Sequence, residues 1–393
     1  MDFSTLLPYK DSEVPAVMQI VAHTDLFGVI VHQLNPSVDI EQVRHSFLQI
    51  RTIDEFQHYI MLPLILHIVK ETTDGFTVSG LRQLSHDESY LFVANHRDIA
   101  LDAALMSIQL MRHNYKLPAI SFGDNLITNP LIQSLTRLNR MFPVVRGGTR
   151  REFYEASVLM SHYIQYMLQN EHRSVWIAQR NGRTKNGDDR TEPGLLKMLS
   201  LAGTGDFVSK MSRLKIVPLC ISYEYEPCVD SKVREIDRRE RGEKYVKRHN
   251  EDLLHVWEGI SQQKGQVHLA FCPPITQEEL RRCQDDTENM LPTEDTTIKY
   301  GTTRQGANVA RPVDSKDLNA PYHALAHLID RRIWKAYRLS GMNHLAYDIV
   351  NGTASKDILL AAHSLFRTDT LLKVYAQPVF NHKVAEKEEG QQQ

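Results

Sequence analysis

Residues 89–110 read SYLFVANHRDIALDAALMSIQL. Leu91 to Ala94 is a short, unbroken apolar run between polar flanks, the pattern of a strand buried on both faces. From about Ile99 the apolar residues recur at three-to-four spacing, which predicts a helix. A buried strand feeding directly into a helix is the repeating step of an α/β sheet. In such sheets, groups that bind ligands collect in the loops beyond the carboxyl ends of the strands. His96 falls in that place. Asp98 reads as an N-cap, its carboxylate accepting from the first free N–H groups of the helix. Asp102 lies inside the helix among Ala100, Leu101, Ala103 and Ala104, where a cap does not account for it.

The same alternation continues outward. LPAISFG, MFPVVRG, RSVWIAQR and LKIVPLCISYEYE predict strands, and NPLIQSLTRLN, REFYEASVLMSHYIQYMLQ and GLLKMLSLAG predict helices between them. QVHLAFCPPI returns as a further strand. This order predicts an α/β fold: a mainly parallel, mixed sheet flanked by helices, with an N-terminal helical layer and a C-terminal helical region. The expected organisation is a helical region over 1–75, the α/β domain over 76–284, a polar linker or loop over 285–320, a C-terminal helical region over 321–380, and a disordered tail over 381–393. Within the C-terminal region, YHALAHLIDRRIWKAYRLS is amphipathic, with Leu325, Leu328, Ile329 and Ile333 on one side. The stretch from Val229 to Gly265 has eight Lys/Arg against seven Asp/Glu before Leu253, and reads as a solvated helical excursion.

Bulk properties narrow the chemistry. The chain has 393 residues, 42% of them hydrophobic, enough for a large core without covalent staples. Cys220, Cys228, Cys272 and Cys283 form no CxxC pair and sit in no His-rich setting, so neither a disulfide framework nor a metal site is expected. A net charge of -2, with no basic-aromatic platform, argues against nucleic acid as a partner. No G-x-G-x-x-G or G-x-x-x-x-G-K-[ST] loop occurs, which counts against dinucleotide or nucleotide chemistry, and no cofactor is expected. No signal peptide is read at the start, and the longest apolar run, YIMLPLILHIV from Tyr59 to Val69, is about half of the ~20 residues a spanning helix needs. It reads as a core helix or an interfacial patch, and a cytoplasmic setting is expected.

Three further blocks give the histidine its context. SFGDNLITNPLIQSLTRLNRMFPVVRGG, from Ser121 to Gly148, carries Gly123, Asn125, Arg137, Arg140 and Arg146. VWIAQRNGRTKNGDDRTEPGLLKM places Arg180, Arg183, Lys185 and Arg190 around Asn-Gly turns that include Gly182. Arginines at strand ends beside glycine backbone suit bidentate recognition of phosphate, although a solvated basic loop has the same composition. The fourth block, IVPLCISYEYEPC, is a strand containing Pro218 and ending in Tyr223, Glu224 and Tyr225; alone it says only that a buried strand is present.

In this order the four blocks resemble the glycerolipid acyltransferase family, the bacterial glycerol-3-phosphate and 1-acylglycerol-3-phosphate acyltransferases, over roughly residues 76–228. The resemblance implies that His96 is a general base for the acceptor hydroxyl, with Asp102, or alternatively Asp98, orienting it. It implies that Arg146, Arg183, Lys185 and Gly182 hold the acceptor phosphate, and that Gly123, Asn125 and Pro218 line the pocket. The donor would be an acyl thioester, acyl-CoA or acyl carrier protein, and the acceptor a phosphate-bearing glycerol or lysolipid of phospholipid biosynthesis. A membrane surface is then an expected partner, met by the N-terminal apolar run with Arg137, Arg140, Arg150 and Arg151, peripherally on the inner face of the cell membrane.

Two positions depart from the family's pattern. Five residues separate His96 from Asp102 where the family has four, and Asn181 stands before Gly182 where the family has Glu. These leave open a different acceptor, or a lipid- or acyl-carrier-binding protein that keeps the fold without turnover.

Overall fold

The computed structural model describes residues 1–34, 36–127, 129–248, 250–285, 319–355, 365–366 and 368–392. The chain opens with helices α1 (Val14–Ala22), α2 (Asp25–Leu34), α3 (Ile40–Gln49), α4 (Ile53–Phe56) and, after a single π turn, α5 (Leu62–Thr72). Then come β1 (Gly75–Ser79), β2 (Leu91–Ala94), α6 (Leu101–Arg112), β3 (Ala119–Gly123), α7 (Pro130–Leu138), β4 (Met141–Val144), α8 (Arg150–Gln169) and β5 (Val175–Ala178). After them run α9 (Pro193–Leu199), α10 (Phe207–Ser212), β6 (Ile216–Tyr223), α11 (Val229–Glu240), α12 (Glu251–Ser261) and β7 (Gln266–Phe271). The chain ends in α13 (Gln277–Asp285), α14 (Ala320–Ala336), α15 (Gly341–Val350) and α16 (Asp369–Gln392).

The strands form one seven-stranded sheet in the order β1-β7-β6-β2-β5-β3-β4. Five run parallel, whereas β7 pairs antiparallel with β6 and carries β1 parallel to itself. The sheet is therefore mixed and mostly parallel, as expected. Strand β2 shows why: all four residues are buried, and alternation sends Leu91 and Val93 into one core while Phe92 and Ala94 enter the other. The first core is capped by α8, α9 and α14, with Leu325, Ile329 and Ile333 fully buried. The second is covered by α5 and α6. Each such aliphatic side chain contributes roughly 1.5–3 kcal/mol when fully removed from water. Chain order reverses around β2, because β5 returns to one side of it and β6 passes to the other. That reversal opens a crevice at the carboxyl ends of the strands.

Three expectations need correction or limits. The tail expected to be disordered from 381 continues α16 as far as Gln392: Ala385 is buried, and Lys335 and His327 of α14 meet Glu389 and Glu388. Its polar composition concealed those partners, which lie more than fifty residues away. The charged excursion is not a solvated face, because Lys232, Val233, Glu235 and Ile236 are buried. Its buried charges are paired, Lys232 with Glu226 six residues before it, and Glu235 with Arg239 on its own helix and with Lys185 fifty residues away. Residues 286–318 of the expected linker lie outside the described residues.

Candidate active site

Asn95 sets the site's position. Its side chain continues the ladder beyond β2, donating to Ile221 O at 2.9 Å and accepting from Ile221 N at 2.7 Å. The next residue, His96, therefore stands just past the sheet edge, its main-chain carbonyl held by Thr184 N at 2.7 Å.

Asp102 occupies the first turn of α6 and is almost fully buried. Its Oδ2 lies 2.9 Å from His96 Nδ1 and accepts from the backbone N–H groups of Arg97 and Asp98 at 2.7 and 2.9 Å. Its Oδ1 accepts from the Tyr223 hydroxyl at 2.8 Å. Four donors thus fix the carboxylate. With Nδ1–H donating to Asp102, the His96 Nε2 keeps a lone pair, the tautomer a general base requires. Trp176 packs edge-on against the imidazole, with ring centroids 5.6 Å apart.

Asp98 serves the start of α6 as a capping acceptor, although the N-cap position itself is taken by Ala100. Its Oδ1 accepts from Ala100 N and Leu101 N, both at 2.8 Å. Its Oδ2 is buried without a hydrogen-bond partner among the described residues, and burial, then Asp102, push its carboxyl above the usual range. The extra residue between His96 and Asp102 is absorbed in the turn, which wraps three donors around one carboxylate oxygen.

Behind this turn lies a buried ion network. Arg97 pairs with Asp189 at 2.5 Å and with Glu226 at 3.0 Å, and Lys232 joins through Glu226 and Arg97 O. Burial alone would depress Arg97, but Asp189 and Glu226 outweigh it and raise the guanidinium above its ordinary value. None of these partners was singled out from sequence.

His96 opens into a cavity of about 830 Å³. Its apolar lining comes from both cores, with Leu62, Ile65, Ile108 and Met141 from the second and Met160 from the first. It also collects Arg146, Arg180, Arg183 and Lys185 from the loops after β4 and β5. Gly123 and Asn125 are among its lining residues, and Gly123 lies close under Arg146: a Cβ there would stand 2.5 Å from the guanidinium carbon and would push that side chain aside. Gly182 adopts φ +78, a left-handed conformation that suits glycine.

Two expected site residues are placed differently. Pro218 lies within β6 opposite Val93 and is not among the residues that line the cavity. Lys185 lines the cavity but is ion-paired with Glu235 of α11, so its charge is already compensated. By contrast, among the described residues Arg146, Arg180 and Arg183 have no carboxylate at ion-pair distance. Arg180 Nε and Arg183 Nη1 are buried without a hydrogen-bond partner among the described residues. Glu235, Asp252 and His255 also line the cavity, and sequence reasoning missed all three; a charge-balanced helix carries no signal of which charges turn inward.

Residues 75–222 match the family model described as Acyltransferase. This segment is an acyltransferase domain. The acyltransferase domain spans β1 to nearly the end of β6 and so contains His96, Asp102 and all three unpaired arginines, but neither α11 nor α12. No curated protein matches the chain. Among solved structures, the chain is similar to the 1-acyl-sn-glycerophosphate (LPA) acyltransferase PlsC from Thermotoga maritima. Identity is 13%, with 70% of this chain and 90% of that chain covered and a TM-score of 0.35. No residue of this chain takes a role from that likeness.

Proposed function

We propose that the protein transfers a fatty acyl group from an acyl-CoA or acyl-carrier-protein thioester to a hydroxyl of glycerol 3-phosphate, lysophosphatidate or a related phosphate-bearing acceptor. The observation that carries this reading is a buried His96–Asp102 pair whose histidine lines one cavity together with apolar side chains and three arginines that have no carboxylate partner among the described residues. His96 Nε2 takes the hydroxyl proton as the acceptor oxygen attacks the thioester carbonyl. The C–S bond then breaks, and the imidazolium returns the proton to the departing thiolate. Asp102 holds the ring and stabilises its cationic form. Arg146, Arg180 and Arg183 bind the acceptor phosphate, while the apolar lining receives the acyl chain. Replacing His96 by Ala is expected to cost about 10²–10⁴ in thioester-dependent transfer with an unchanged thermal melt; a fully active variant would sink the reading. Asn181, a carboxamide where the family has Glu, favours a screen of other hydroxyl and amine acceptors against one acyl-CoA.

The same reading makes the protein peripheral on the inner face of the cell membrane. Of α2, only Phe27 is buried, leaving Leu26, Val29 and Ile30 outward, and Leu34 at its end lines the cavity. No single helix among the described residues is long and apolar enough to cross a membrane. Arg140, paired with Asp54, and Arg137, stacked on Tyr9, are committed within the fold, so the apolar face rather than those arginines makes the contact. A Val29→Glu/Ile30→Glu double variant should pellet markedly less with liposomes than the parent; equal pelleting would remove the surface from consideration.

A further inference from the structure

Helix α12 lies outside the matched domain, yet one stripe of it reaches three of the blocks that build the site. Asp252, His255 and Gly259 are three and four residues apart, which sets them along one helical face. Asp252 Oδ2 accepts from Asn125 Nδ2 at 2.8 Å. His255 Nδ1 lies 2.9 Å from Arg183 Nη2. Gly259 backs onto Asp98 so closely that a Cβ would stand 1.9 Å from its Oδ2.

The middle contact bears on ligand binding. The Arg183 side chain has His255 as its one hydrogen-bond partner among the described residues, and both line the cavity. A carboxylate in that place would orient the guanidinium and also cancel its charge, as Glu235 does for Lys185. A neutral imidazole orients it and leaves the charge for a ligand. Since an arginine has donors only, the shared proton is arginine's and His255 Nδ1 is the acceptor, with the ring proton on Nε2. Burial, then Arg183, hold His255 below its ordinary value, which keeps the ring neutral near pH 7.

We propose that His255 is a positioning residue that aims Arg183 at the phosphate of the acceptor without neutralising it. Together with the Glu235–Lys185 pair, this segment sets the acceptor charge the cavity accepts. The inference rests on the phosphate-bearing acceptor proposed above.

The test measures binding apart from turnover. Glycerol 3-phosphate and inorganic phosphate are titrated calorimetrically into the full chain, its His255→Ala, His255→Asn and Arg183→Ala variants, and the His255→Ala/Arg183→Ala double variant. Losing a hydrogen bond to a charged group is expected to weaken both ligands about tenfold in His255→Ala. Arg183→Ala should match it, and the double variant should be little worse than either single one. Asn offers a carbonyl oxygen near the Nδ1 position, so His255→Asn should bind within about twofold of the parent. With palmitoyl-CoA, acceptor KM should rise while kcat and donor KM hold. His255→Met, which keeps bulk without an acceptor, carries the same expectation if the Ala variant melts early. Unchanged phosphate binding in the Ala or Met variants, additive losses in the double variant, failure of Asn to restore binding, or no phosphate binding by the parent would each overturn the inference. Loss of acyl transfer alone, with this binding pattern intact, would instead count against the proposed reaction.

Discussion

Asp98 and Asp102 stand one helical turn apart in sequence, and their oxygens have opposite surroundings. Asp102 accepts four hydrogen bonds and touches the imidazole, whereas Asp98 caps the helix with one oxygen and buries the other without a partner. Replacing Asp102 by Asn puts an amide N–H₂ against groups that are themselves donors, so kcat is expected to fall by about 10²–10⁴. Asn at 98 still caps a helix, so kcat there should stay within roughly tenfold. The two variants should also separate in stability. A carboxyl raised in the folded state binds its proton more tightly there than when unfolded, so its contribution is present below pH 3.8 and is lost as pH rises through the folded value. Asp98→Asn should therefore melt higher than the parent at pH 7, with the gap closing toward pH 4; a lower melt at pH 7 would contradict the burial argument. Residue type and place after a strand made both aspartates visible in the sequence. What chose between them was the Tyr223 hydroxyl, 121 positions away, and three groups of a folded turn.

At the scale of elements, local pattern was legible wherever burial follows a period. The four apolar residues of β2 and the stripe of Leu325, Ile329 and Ile333 in α14 announce themselves because neighbouring positions decide them. The segment holding α11 and α12 did not, because its buried charges find partners in β-strand loops far away in sequence. Gly259 shows how tightly α12 is seated. In an exposed helix interior Gly→Ala gains up to about 1 kcal/mol. Here the added methyl would meet Asp98 Oδ2 at 1.9 Å, and overpacking of this kind costs about 1–3 kcal/mol. Gly259→Ala is expected to lower stability and, by shifting the turn that presents His96, activity. In an Asp98→Ala background the penalty should shrink or reverse, as coupled neighbours do. Equal costs in both backgrounds, measured by denaturant unfolding, would show that the two do not touch.

The whole molecule closes around its site from both ends of the chain. The matched domain ends at residue 222, but the network beneath His96 is completed by Glu226 and Lys232, and the loop carrying Asp189 is held by Trp334 and Asn381. Gly187, at φ +79 in that loop, packs so closely on α16 that a Cβ would stand 2.5 Å from Val374 O. Tyr375 accepts the Glu226 N–H through its hydroxyl, and Leu371, Val374 and Ala376 are buried in the core that α16 shares with α11 and α15. Cutting the chain after residue 364 would uncover this core and admit water to Arg97, Asp189, Glu226 and Lys232. A buried network that loses its enclosure costs several kcal/mol, because the charges were arranged for one another and not for solvent. That variant is expected to be insoluble or to melt at least about 10 °C lower, with no acyl transfer. Removing only 390–393, beyond the Lys335–Glu389 pair, should leave the melt within about 2 °C of the parent. A stable, active chain ending at 364 would mean that the C-terminal helices are an appendage; loss of fold together with activity would mean that the turn carrying His96 is held in place from the far end of the sequence.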